Sequence, residues 1–117
     1  MATELEGNEK LQRFISLLCD LNHETVEMIR TGNVELLLKM NDTIEEIYSI
    51  QHGSDEEVYT AIEEDAQIIY KNFNAVVTMI RSNENALSDK TTSEAVKIFL
   101  HNIFDANVRI VLAYGLA

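Results

Sequence analysis

Apolar residues recur every three or four positions through most of the chain, the period of an amphipathic helix. From Asn8 to Thr31 the stripe is Leu11, Phe14, Leu18, Leu21, Thr25 and Met28, widened by Ile15, Leu17 and Ile29. Residues 1–7 read as a frayed lead-in. Gly32 stops this first helix, because glycine accepts the left-handed conformation just past a helix end. Asn33 is a good cap for a second helix from Val34 to about Gln51, with Leu37, Met40, Ile44, Ile47 and Tyr48 as its stripe. Ser54, with Glu57 three residues later, forms a capping box for a third helix over 55–82. Its rhythm runs Val58, Ile62, Ala66, Ile69, Phe73, Val76, Ile80. After a loop at 82–90, Thr91 and Glu94 offer a second capping box. A fourth helix then runs from about Thr92 to Tyr114, ending at Gly115.

Four helices joined by two tight turns and one longer loop predict an all-α fold. The expected architecture is an antiparallel four-helix bundle forming one domain over 1–117, closed within the chain or completed by a partner chain. The fourth helix is apolar on two sides. Val96, Phe99, Ile103, Ile110 and Tyr114 make its core stripe, with Leu100 and Val111 alongside. Ile98, Phe104, Val108 and Leu112 point elsewhere at 100° per residue. With only three other helices to cover it, this second set is the candidate apolar partner-binding surface.

Composition narrows the function. The 117 residues carry 9 Lys and Arg against 20 Asp and Glu, a formal net charge of -11. Such a balance disfavours direct binding of nucleic acid or anionic lipid, which needs clustered Lys and Arg. Asp42, Glu45, Glu46, Asp55, Glu56, Glu57, Glu63, Glu64 and Asp65 fall in a stretch without any Lys or Arg. Read functionally, Glu45, Glu46, Asp55, Glu56, Glu57, Glu63 and Glu64 form an acidic rim for a basic segment. Read blandly, they are a solvated helix face. No apolar run approaches eighteen residues, so no membrane span is expected. A single Cys, Cys19, and the absence of a signal-peptide pattern point to the cytoplasm.

Catalytic and metal chemistry find little to work with. A bundle-type di-metal site needs two Glu-x-x-His pairs. Here His23, His52 and His101 follow Asp20, Ser49 and Ile98. His52 near the acids offers at most a weak surface metal site. Cys19 adjoins the apolar stripe and reads as a half-buried structural thiol. No Gly-rich phosphate loop and no Ser, His and Asp grouping is present. The expectation is a protein without catalysis, cofactor or resident metal.

With Thr31-Gly32-Asn33-Val34-Glu35-Leu36-Leu37-Leu38 as its motif, the segment Leu11 to Gln51 resembles the FliT-type flagellar export chaperones in layout. There too, a first amphipathic helix ends at a Gly before an acidic-apolar entry and a Leu triplet. The resemblance covers about a third of the chain. It implies a binding protein that holds an amphipathic helix of a secreted or flagellar subunit. Helix four would then be the groove floor and the 41–65 acids its charged rim. Two other readings stand beside it. One is a structural or interaction subunit of a homo- or hetero-oligomer, with helix four in the interface. The other is an acidic inhibitor that mimics nucleic acid.

Overall fold

The computed structural model describes residues 2–53, 56–82 and 88–114, with side chains from residue 9 onward. Among them stand five helices and no strand: α1 Ala2–Thr31, α2 Leu36–His52, α3 Glu57–Thr60, α4 Glu63–Ser82 and α5 Lys90–Ala113. Four are long and make an antiparallel bundle 54 × 22 × 21 Å across. α1 starts well before Asn8, so 1–7 is not a frayed lead-in beyond Met1. Ala2, Glu4, Leu5 and Glu6 are good helix formers, and acids at a helix start favour its positive dipole end.

Gly32 turns the chain as expected. Its φ is 67° and its N–H donates to the Met28 carbonyl at 2.9 Å. The Asn33 side chain accepts from Glu35 N at 3.1 Å, but the turn that follows is tightened. Leu36, Leu37 and Leu38 each donate three residues back, so α2 proper starts at Leu36 rather than Val34.

The third expected helix is interrupted. Tyr59, not Val58, takes the fully buried position, with its ring edge-on to Phe14 at 5.2 Å. The Val58 carbonyl accepts from the Tyr114 hydroxyl at 3.0 Å, and the Tyr59 carbonyl takes a long bond from Gln51. Side chains from α5 and α2 thus occupy carbonyls that a continuous helix would use itself. The chain turns at Ala61 and Ile62. α4 then restarts on Glu63, Glu64 and Asp65, three acids in a first turn. Ser54 and Asp55, and with them the first capping box, lie outside the described residues, as do Gly115 and loop residues 83–87. α5 begins at Lys90, because Asp89 rather than Thr91 is its cap. The Asp89 carboxylate accepts from Thr92 N and from the Thr92 hydroxyl, bonds that hold it below the usual carboxylate range.

Registers follow from cross-helix contacts. Arg109 pairs with Asp65 at 2.8 Å, and Asn102 bonds Asn72 at 3.0 Å, setting α5 antiparallel to α4. The Asn107 amide, fully buried, donates to the Leu18 carbonyl at 2.8 Å and fixes α5 against α1. Arg13 pairs with Glu46 at 2.7 Å between α1 and α2. Close backbone packing joins α1 to α2, α1 to α5 and α4 to α5. The remaining seam, α2 with α4, is looser.

Candidate functional site

That seam is closed at one end and open at the other. At the closed end Gln51, buried, donates to the Glu63 carboxylate at 2.6 Å and accepts from the Tyr70 hydroxyl at 2.6 Å. The Tyr48 ring packs edge-on to Tyr70 at 5.3 Å and against His52 at 4.1 Å. Burial, with the Glu63 charge nearby, pushes the Tyr70 hydroxyl far above the usual tyrosine range, so it stays a donor. At the open end lies a groove of about 300 Å³ lined by Val34, Leu37, Leu38, Asn41, Phe73, Val77, Ile80 and Arg81. Leu38 is 72% exposed, a large apolar side chain with nothing over it.

The groove continues into acids. Leu38, Asp42, Glu45 and Ser49 follow one another at helical spacing along one side of α2. Asp42, Glu45, Glu46 and Ser49 line a shallow depression there. The rest of the expected acidic rim is divided. Glu56, Glu57 and Glu64 are exposed at the end of the bundle where α3 sits. Glu63 is committed to Gln51 and Gln67, Glu46 to Arg13 and Asp65 to Arg109. Asp55 lies outside the described residues.

The expected apolar set on the last helix falls elsewhere. Ile98 and Leu112 are 61% and 51% exposed, and Phe104 and Val108 are half-buried outside the core. Phe104 meets Val26 and Ile29 of α1 in a groove of about 230 Å³, rimmed by Arg30 and His101. Phe104 therefore borders α1, whereas the acids stand on α2, α3 and the start of α4. The two do not make one site with a floor and a rim. The Val34, Leu37 and Leu38 segment was visible in sequence as a Leu-rich helix entry. Its pairing with Phe73, Val77 and Ile80 was not. The core stripe of α5 also shifts. Ala106 and Asn107 are buried there, and Phe99 and Tyr114 only half so.

Cys19 is exposed rather than half-buried, since one step of 100° beyond Leu18 carries it off the stripe. Among the described residues no three His, Cys, Asp or Glu side chains converge as metal ligands. No described helix is long and apolar enough to cross a membrane.

One carboxylate of the α1–α2 contact is perturbed. Glu24 accepts from the Thr43 hydroxyl at 3.1 Å, yet burial outweighs that bond and raises its pKa above the usual value. A raised folded pKa gives stability that is fully present below the unfolded value and lost as pH rises through the folded one. Replacing Glu24 by Gln is thus expected to raise Tm relative to wild type by more at pH 7 than at pH 4. A Tm difference that is flat over this range, in paired thermal melts, rules that account out.

Compared with protein-family models, curated proteins and solved structures, the chain matches none.

Proposed function

We propose that this is a non-catalytic binding protein that seats an amphipathic helix of a protein partner in the α2–α4 groove. The observation that carries the reading is the open end of that seam. Leu38 and Val34 stand exposed beside Phe73, Val77 and Ile80, an arrangement that a partner's helix would complete. Charge defines the occupant further. A helix laid along α2 meets apolar side chains at one end and Asp42 and Glu45 at the other, so it carries Lys or Arg beyond one end of its apolar stripe. In the export-chaperone reading, that helix belongs to a secreted or flagellar subunit held in the cytoplasm before release. The inhibitor reading is weakened by the internal commitments of Glu46, Glu63 and Asp65.

Affinity capture from source-cell lysate, with wild-type and Leu38→Asp baits in parallel, tests the proposal. The expected result is a protein with a helix apolar at one end and basic at the other, retained by wild type and lost from the variant. Equal recovery on both baits, or recovery of this chain alone, overturns it.

A further inference from the structure

On the reading that the α2–α4 groove seats a partner's helix, we infer that this helix carries a two-turn apolar stripe bracketed by opposite charges. An acid stands at one end and a base at the other, eight to eleven residues apart.

The mouth of the groove holds a cation. Contacts of Gln51 with Glu63 and of Tyr48 with Tyr70 join the end of α2 to the first half of α4. The last turn of α4 therefore meets the entry to α2. Arg81, in that last turn, lines the groove together with Val34. It is exposed and makes no ion pair with another described residue.

The inner end holds acids. Asn41 lines the groove, and its amide donates to the Glu45 carboxylate at 3.3 Å, which ties that acid to the groove. Asp42 lies with Glu45 in the adjoining depression. Neither makes an ion pair with another described residue, whereas Glu46 is taken by Arg13. The other charges nearby face away. Glu35 and Lys39 each stand two positions from Leu37, about 160° round the helix, and Lys71 is about 120° round α4 from Val77.

Between the two ends the apolar floor is short. On α4 it runs from Ile80 to Phe73, seven positions or about 11 Å, and beyond Asn41 the rings of Tyr48 and Tyr70 close the seam. Asp42 and Glu45 follow Val34 by eight and eleven positions, about 12 Å and 16.5 Å along α2. A helix in the groove rises at the same rate, so it meets both ends only with an acid and a base that far apart. Eleven positions make close to three whole turns, so acid, apolar stripe and base share one face. An occupant with charges of one sign leaves one end of the groove uncompensated.

Binding of helix-stapled synthetic peptides to the full chain, read by fluorescence anisotropy, is the test. The probe is alanine-based and carries Glu, a two-turn Leu stripe and Lys, with Glu and Lys about eleven residues apart. It is expected to bind wild type and to be lost with Leu38→Asp. Arg81→Glu should weaken it about fivefold, and a peptide with Lys in place of its Glu should recover that loss. Both variants should keep the helical circular dichroism of wild type. Loss at Leu38→Asp with equal affinity for wild type and Arg81→Glu overturns the charge pattern and leaves the groove as the site. No binding to wild type at 200 µM, or binding untouched by Leu38→Asp, overturns the groove reading itself and the charge pattern with it.

Discussion

Asn107→Asp is expected to destabilise the bundle by about 3–5 kcal/mol at pH 7, with a penalty that shrinks toward acid. Asn107 is fully buried, its amide N–H donates to the Leu18 carbonyl, and its Oδ1 has no partner among the described residues. A carboxylate in its place turns an acceptor toward an acceptor, without water to screen either. A protonated carboxyl still donates to Leu18, so the folded pKa of the new group must rise above its unfolded value near 3.9. Its penalty then grows by about 1.4 kcal/mol per pH unit from about pH 4 until the folded pKa is reached. Urea unfolding of variant and wild type between pH 5 and 8 reads this directly. A penalty independent of pH would mean that the side chain at 107 is hydrated, and the α1–α5 contact would have to be redrawn.

The second large effect is expected at Phe14. Its ring is fully buried, edge-on to Tyr59 at 5.2 Å and to Tyr114 at 6.2 Å, and so ties α1 to α3 and to the end of α5. Phe14→Ala should cost about 3–5 kcal/mol, the range for a buried ring replaced by a cavity. Edge-on pairs add about 0.5–1.5 kcal/mol each beyond burial, so the upper half of that range is favoured. Phe104→Ala, on the half-exposed outer face, should cost about 1 kcal/mol or less in the unfolding of a single copy. The contrast between two phenylalanines on packed helices is the informative quantity. Comparable losses at both sites, measured in urea at low protein concentration, would place Phe104 in the core and remove the outer face from consideration.

The helical stripes were legible because one-dimensional spacing records which side of a helix is apolar. Phe14, Leu18, Leu21 and Met28 of α1 and Met40, Ile44 and Ile47 of α2 are buried as their spacing required. Spacing says nothing of polar residues buried by distant partners. Gln51 and Asn107 sit inside because Glu63, Tyr70 and the Leu18 carbonyl meet them there. No local pattern announces those meetings. The interruption at Ala61 has the same origin, since the Val58 carbonyl is taken by a hydroxyl 56 residues away. The candidate surfaces divide similarly. The surplus apolar set on α5 could be read from its own sequence. The α2–α4 groove requires knowing which helices stand apart.

The Asn107–Leu18 bond also sets a clock on biosynthesis. It joins residues 89 positions apart, and α1 packs closely on α5. At roughly 5–20 residues per second, α5 follows α1 out of the ribosome by about 4–18 s. Helices form in microseconds, so α1 waits through that interval without α5, its stripe covered by α2 and then, at Phe14, by Tyr59. Phe14 suffers most, because both of its ring partners are made later than α2. A nascent chain paused between α2 and α5 is therefore an adhesive object, and slow translation of this stretch would expose it longest.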